Sequence, residues 1–491
     1  MKKINIEKFL LIFIIILPVL DISSFLFRNY FNTSFSPSTF IRPIIPLLLI
    51  IFIFFKYKFK LKIFTCAIIY GIYCIFHLYF FSKLNYEISY GTITHELQYL
   101  INYSFSVLNL FIFLFIFNNN ENYKKINKAV LIANGIYILS IYISILTKTS
   151  SSTYLEGQGY KGWFESGNSI SSILVLNLFI IFTLLNKTGN RYVKLWAILE
   201  IIFSAFYLAF LLGTRTGLFG VFLVCVLYIF SKFLEFIKNK IINKSLNLKN
   251  KIILLISLIA LIIIIPVFIN KGSKYLSRRK YLESLNNSII DNTTNEPSHV
   301  TGDILKIKEK IDKGNITSIY ASNAMQKSII ELYNTANKYK LNLTNRRAQQ
   351  LIFNFYLVKN QHNILYILFG NGFLNNYGEL ILEMEIPAFL FNFGIIGFVL
   401  YFIPFFSLFI YYCYAGIKNI KKIDYEFIFL LSGIILSFVL SFLVGQLFFN
   451  SSAMIIIICI NVLLFNKCNN LNNKNKKIKE KSKDNKIPVN I

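Results

Sequence analysis

The sequence predicts an all-α, polytopic integral membrane protein with about 12 transmembrane helices and one large loop. Three observations carry this. First, 55% of the 491 residues are hydrophobic and the mean hydropathy is +0.57, more apolar surface than a water-soluble chain of this length has use for. Second, runs of roughly 20 apolar residues recur along the chain, each long enough to cross a hydrocarbon core of ~30 Å. In that environment only a helix satisfies its backbone polar groups within one segment. Third, the connections between runs are short, except between Asn270 and Glu385.

In chain order the spans are expected near 9–27, 40–55, 63–82, 100–118, 129–147, 169–186, 195–212, 217–235, 252–269, 386–412, 427–446 and 453–466. Ser169-Ile-Ser-Ser dilutes the start of the sixth. The N-terminus has the basic start of a signal peptide. Its apolar run continues through Phe27 without a small-residue cleavage site, so it reads as a retained first span. The organisation expected is a membrane domain at 1–269, a large loop at 270–385, a second membrane part at 386–466, and a basic, disordered tail at 467–491.

Charge placement orients the bundle. An even number of spans puts both termini on one side. That side collects 30 Lys and Arg, the short segments of the other side hold 6, and the remaining 15 lie in the long loop. Basic flanks stay in the cytoplasm, so both termini are expected there and the loop outside. The net charge of +28 sits mostly at these flanks and in the Lys/Asn-rich tail. Such segments attract anionic lipid headgroups, and no nucleic-acid partner is implied. The six cysteines, Cys66, Cys74, Cys225, Cys413, Cys459 and Cys468, all avoid the loop, which argues against a disulfide framework. No Cys/His spacing resembles a metal site.

Within the loop, 271–315 is polar. From Ser322 to Leu357 the apolar residues Met325, Ile329, Ile330, Leu332, Leu341, Leu351, Ile352 and Phe355 recur at helical spacing. Amphipathic helices on or near the bilayer surface are expected there. Gly370-Asn-Gly372 then marks a turn.

Several charged residues are candidates for chemistry. Arg215, in Gly213-Thr-Arg-Thr-Gly217, interrupts an apolar run where a span reaches the outer face. A forked guanidinium there can grip a phosphate or simply snorkel to the interface. Arg346 and Arg347 lie in a helical stretch of the loop, where adjacent residues point about 100° apart, so one of the two faces a given site. Arg278 and Arg279 closely follow a span and read as headgroup contacts. Glu383 and Glu385 stand before the tenth span, suited to a helix N-terminus or to acting as a general base. Asp21 and Arg42 lie near the outer ends of the first two spans, and mutual neutralisation is the simplest role for them. His95, Glu96, Glu165, Asn168 and His362 are further polar groups toward the outer face, while Glu200 lies near an inner end.

Taken in order, the motifs resemble the O-antigen ligase / O-antigen polymerase superfamily. They are Pro18-Val-Leu-Asp21, Phe40-Ile-Arg42-Pro43, Gly159-Tyr-Lys-Gly-Trp163-Phe-Glu-Ser-Gly-Asn168, Gly213-Thr-Arg215-Thr-Gly217, Leu368-Phe-Gly-Asn-Gly372 and Gly394-Ile-Ile-Gly397. The resemblance implies a GT-C-type glycosyltransferase of the bacterial cytoplasmic membrane. It implies an undecaprenyl-pyrophosphate-linked glycan as donor, no metal or other cofactor, and a flippase and chain-length regulators as partners. Arg215 matches the arginine of the family's short outer motif, and Arg346 or Arg347 that of its large loop. Arg42 is a further candidate for the pyrophosphate. Many ligases carry a His-Asn pair eleven residues before the first glycine of Gly-x-x-Gly. Here that position is Glu383, which moves the expected base to Glu383 or Glu385. The missing histidine favours polymerisation of repeat units over ligation to another acceptor. A flippase is the alternative of another class; the span count suits it, but the charged loop does not.

Overall fold

The computed structural model describes residues 6–33, 36–56, 61–84, 93–118, 121–241, 274–286, 289–291, 298–315, 323–341, 346–373 and 380–484. Eight helices come first: α1 (Ile6–Tyr30), α2 (Pro37–Lys56), α3 (Leu61–Leu84), α4 (Ile93–Phe117), α5 (Lys125–Leu146), α6 (Gly167–Lys187), α7 (Arg191–Phe206) and α8 (Arg215–Ile241). The loop region supplies α9 (Lys274–Asn286), α10 (Gly302–Asp312), α11 (Asn323–Lys338), α12 (Arg346–Gln361) and α13 (Ile364–Phe369). The last three are α14 (Glu385–Lys418), α15 (Tyr425–Leu443) and α16 (Ser451–Asp484). Among the described residues, one short hairpin, Ser151–Ser152 against Tyr160–Gly162, departs from an all-helical fold.

Ten of these helices are long and apolar enough to cross a membrane, and Phe40–Phe55 forms a shorter apolar helix where the second span is expected. The ninth expected span, 252–269, lies outside the described residues. Burial sorts the bundle. Of the most apolar stretch, 89% is buried in α16 and 78% in α6, against 22% in Phe64–Ser82 of α3. So α6 and α16 form the centre. Helix α7 turns Leu199, Ile202 and Phe206 outward, as a lipid-facing helix does.

The tenth span departs from the simple expectation. Its apolar run is continuous in sequence, yet α14 is two helices meeting at Gly394, which takes φ 68° and ψ −179°. A residue outside the helical region interrupts the backbone bonds that span it, and those carbonyls need other donors. The chain supplies them. Asn371 N–H donates to Phe391 O at 2.8 Å and Gly372 N–H to Asn392 O at 3.0 Å. The Tyr73 hydroxyl donates to Phe393 O at 2.7 Å. Further along, the Leu400 carbonyl would pair with residue 404, which is a proline without an N–H; the Tyr70 hydroxyl takes that place. The turn and the break press together closely enough to require glycine on both sides. A Cβ on Gly370 would sit 2.2 Å from Asn392 O, and one on Gly394 2.3 Å from Leu368 O.

Two further expectations change. Helices α11 and α12 do not present their apolar stripe to a surface. Met325, Ile329 and Leu332 pack with Phe353 and Leu357 into a small core of their own, with Val300 and Ile304 of the α10 region. Periodicity marks a stripe without saying what covers it. Ile330 and Phe355 do remain exposed. The expected disordered tail is helical as far as Asp484, because α16 continues past Lys467. Cys468 is buried, and Asn469 and Asn470 bond to Asn118 and Tyr123. At the same end Lys467 pairs with Asp424 at 2.7 Å and also with Glu426, which in turn holds Lys187.

Candidate active site

A chamber of about 600 Å³ opens among α1, α2, α4, the segment before α6, the start of α14 and the link between α15 and α16. Its charged lining is Asp21, Arg28, Arg42, Glu165, Glu383 and Glu385. Aromatic rings, among them Tyr99, Phe373 and Phe449, form part of the wall, with Tyr99 stacked on Phe373 at 4.3 Å.

The inner wall is closely paired. Arg42 donates to Asp21 and, at 3.0 Å, to Ser452; Tyr137 donates to the other Asp21 oxygen. Toward the exposed mouth of the chamber Arg28 and Glu165 meet at 2.9 Å. Burial pushes the Glu165 carboxyl up, and Arg28 opposes that. Glu385 is buried. Its Oε2 accepts from the Ser441 hydroxyl at 3.0 Å and from Phe448 N–H at 2.9 Å, and its Oε1 from Phe449 N–H at 3.0 Å. A hydroxyl from the last turn of α15 and two backbone N–H groups of the α15–α16 link therefore converge on one carboxylate.

At the edge of the chamber the pairing is looser. Glu383 and Arg347 meet at 3.3 Å with side chains 39% and 32% exposed. Arg347 also donates to Leu443 O at 2.8 Å, and Glu383 N–H donates to the Gln350 side chain at 3.2 Å. Gly445, at φ 80°, lies so close that a Cβ would meet Glu383 O at 1.8 Å. Arg278 approaches from α9, with its guanidinium 3.0 Å from the centre of the Tyr154 ring. Burial pushes that guanidinium down to about 10, Glu383 opposes the shift and Arg347 adds to it. Its Nη1 is buried and has no hydrogen-bond partner. Arg347 thus pairs with this carboxylate, while Arg278 keeps a buried N–H without an acceptor.

The expected residues divide accordingly. Glu383 and Arg347 are brought together, and Glu385 follows two positions later, on the inner wall. Arg42 lines the chamber and is paired with Asp21, with its Nε buried and unpaired. Arg346 starts α12 beside Arg347, and neither they nor Arg278 are part of the chamber lining. Arg215 is the exposed first residue of α8 and also lies outside that lining. Its loop is built for this position: Thr214 Oγ1 accepts from Gly217 N–H at 3.0 Å, capping the helix. Gly213 packs against the chain at Gln158 and against Lys274, the first residue of α9. Arg215 and Arg278 therefore stand on neighbouring elements.

Other candidates fall away from the chamber. Arg279 pairs with Glu283 at 2.9 Å on the exposed side of α9. His362 is an exposed turn residue at φ 53°. Asn168 offers its carbonyl to Ser171 and Ser172 within α6. Glu200 accepts from Asn134 at 2.9 Å between α5 and α7. The His95 side chain lies outside the described residues, and Glu96 is buried against His77. Three contributors escaped the sequence: Arg278, read as a headgroup contact; Gln350; and Gln446, whose side chain accepts from Ser166 and Ser169. Nothing local marks them, since each acquires its place through a partner far along the chain.

A family model described as "O-antigen ligase like membrane protein" matches residues 3–469. No curated protein and no solved structure matches the chain.

Proposed function

The chain belongs to the O-antigen ligase-like family of membrane proteins, and from that premise we propose that it polymerises lipid-pyrophosphate-linked oligosaccharide units into a surface polysaccharide. The observation that carries this reading is the half-exposed Arg347–Glu383 pair, whose carboxylate lines the chamber. A half-exposed guanidinium suits a pyrophosphate, which accepts several parallel hydrogen bonds. Arg278 and Arg347 take that role, with Arg215 beside them across the Gly213–Lys274 contact. The undecaprenyl chain runs along the bundle in the bilayer and the sugar enters the chamber. Glu383 takes the proton from the acceptor hydroxyl. The acceptor oxygen then forms a bond to the anomeric carbon while the bond from that carbon to the diphosphate oxygen breaks. The electron pair leaves on undecaprenyl pyrophosphate, where the arginines stabilise the developing charge. One displacement inverts the anomeric carbon.

In this reading the chamber faces the outside of the cytoplasmic membrane and both termini face inward, as the basic flanks indicate. An impermeant thiol reagent applied to intact cells should modify a cysteine at Asn315 and spare one at the exposed Tyr192. The reverse pattern inverts the topology.

The activity itself is tested with purified protein and an undecaprenyl-pyrophosphate-linked oligosaccharide. A ladder of lengthening lipid-linked products supports polymerisation. Product formed only after adding a lipid A core or another acceptor assigns ligation instead. No product under either condition overturns glycosyl transfer.

A further inference from the structure

A second set of buried polar groups lies beside the chamber and takes no part in the chemistry above. His77 on α3 and Glu96 on α4 meet at 2.7 Å, Nε2 to Oε1, with both side chains 1% exposed. The remaining polar atoms of both residues point at one short turn. His77 Nδ1 lies 2.9 Å from Phe369 O, and Glu96 Oε2 accepts from Phe373 N–H at 2.8 Å. A carbonyl only accepts, so Nδ1 carries a hydrogen. One further proton joins Nε2 to Oε1, on either partner, and every site of the pair is then used.

That turn connects directly to the site. Its next two N–H groups, of Asn371 and Gly372, donate to Phe391 and Asn392 in the first half of α14, the half that begins at Glu385 beside Glu383. Phe373 lines the chamber and stacks on Tyr99. The Tyr73 hydroxyl, 3.4 Å from His77 Nδ1, donates to Phe393 O at the helix break. A buried titratable pair is weak as a source of stability, because well-packed apolar side chains of similar volume often do as well. What apolar side chains lack is direction: they would hold the turn at no particular position.

We infer that His77 and Glu96 are a positioning dyad, which fixes the Phe369–Phe373 turn and through it the placement of the α14 start that carries the candidate base. The dyad does not touch substrate. It sets where Glu383 and the Phe373 wall stand relative to the arginines. The kinetic part of this inference rests on the glycosyl-transfer reading; the structural part does not.

Two measurements on the full-length protein test it. The first is steady-state kinetics of Glu96→Ala, His77→Ala and the double variant with undecaprenyl-pyrophosphate-linked oligosaccharide. The expected result is a kcat lower by about 10- to 100-fold, the worth of an orphaned buried hydrogen-bonding group. KM for the donor should stay near its wild-type value, and the double variant should be no slower than the worse single one. The second does not depend on the reaction. With the six native cysteines replaced, Asn371→Cys places a thiol at a fully buried turn position. Its alkylation by a water-soluble maleimide should be slow and should speed up at least about tenfold when Glu96→Ala is added.

If the wild-type protein makes no product, the glycosyl-transfer reading falls and the alkylation rate alone decides the dyad. Unchanged alkylation overturns it. So does a wild-type kcat in Glu96→Ala, or a loss of folded protein whose surviving fraction turns over normally.

Discussion

The inner wall of the chamber and its edge carry the same kinds of groups in opposite states. On the wall, Arg42 and Asp21 form a mostly buried pair, and Glu385 is buried among its donors. At the edge, Glu383 and Arg347 are 3.3 Å apart and half-exposed. Each side also holds one buried guanidinium nitrogen without a partner, on Arg42 and on Arg278, so exposure is what divides them. A charge paired and buried by the protein holds the fold. A half-exposed pair can exchange its partner for a substrate. Glu383 and Glu385 stand two positions apart in sequence and fall on opposite sides of this division.

The sharpest way to break the comparison is at Glu383. Glutamine there keeps the size and the hydrogen bonds but cannot take a proton. Single-turnover rates at saturating donor should fall by ~10²–10⁴-fold, the usual worth of a general base, with donor binding little changed. Wild-type turnover in Glu383→Gln removes it as the base and, with it, the functional meaning of the edge.

The arginines come next. Arg278→Lys and Arg347→Lys keep the charge and lose the planar fork, so each should cost ~10–10³-fold in kcat while the protein inserts normally. Arg42→Lys is the contrasting case. Its charge is already neutralised by Asp21, so the expected loss is in thermal stability, with the turnover of folded protein close to wild type. If Arg42→Lys abolishes turnover while Arg278→Lys does not, the pyrophosphate sits on the inner wall and the assignment reverses.

How far the sequence foretold this follows from what a linear pattern contains. Apolar runs near 20 residues are properties of a segment, so the helical spans could be read directly. The break at Gly394 could not, because the run stays apolar and the donors that repair it come from Tyr73, far along the chain, and from the Asn371 turn that precedes the helix. Glu383, Glu385, Arg346 and Arg347 were visible as charges beside a span. Which of each pair faces the edge depends on how α12 meets the end of α15, where Arg347 donates to Leu443 O. Arg278 looked like one more basic residue following a span; its environment is Tyr154, which sits in a loop more than a hundred positions earlier. His77 was hidden inside an apolar run for the same reason, since its partners are Glu96 and the Phe369–Phe373 turn.

The smallest expected effect on chemistry, and the sharpest contrast with Glu383, is at Glu385. All three of its donors are fixed: the backbone N–H groups of Phe448 and Phe449 and the hydroxyl of Ser441. Glutamine offers one accepting oxygen where two are in use. Either orientation of the amide then turns an NH₂ toward at least one backbone N–H, leaving a buried donor without an acceptor. That costs about 1–3 kcal/mol, and it falls on the link that carries Gly445 against Glu383 and Gln446 against Ser166. Glu385→Gln should therefore lower the unfolding temperature and the yield of inserted protein, while the folded fraction keeps a turnover far above that of Glu383→Gln. Rates normalised to folded protein, measured side by side for the two variants, separate the roles. If Glu385→Gln is as slow as Glu383→Gln at full stability, its three donors are tuning a base instead of anchoring a loop, and the division between wall and edge is drawn two residues out of place.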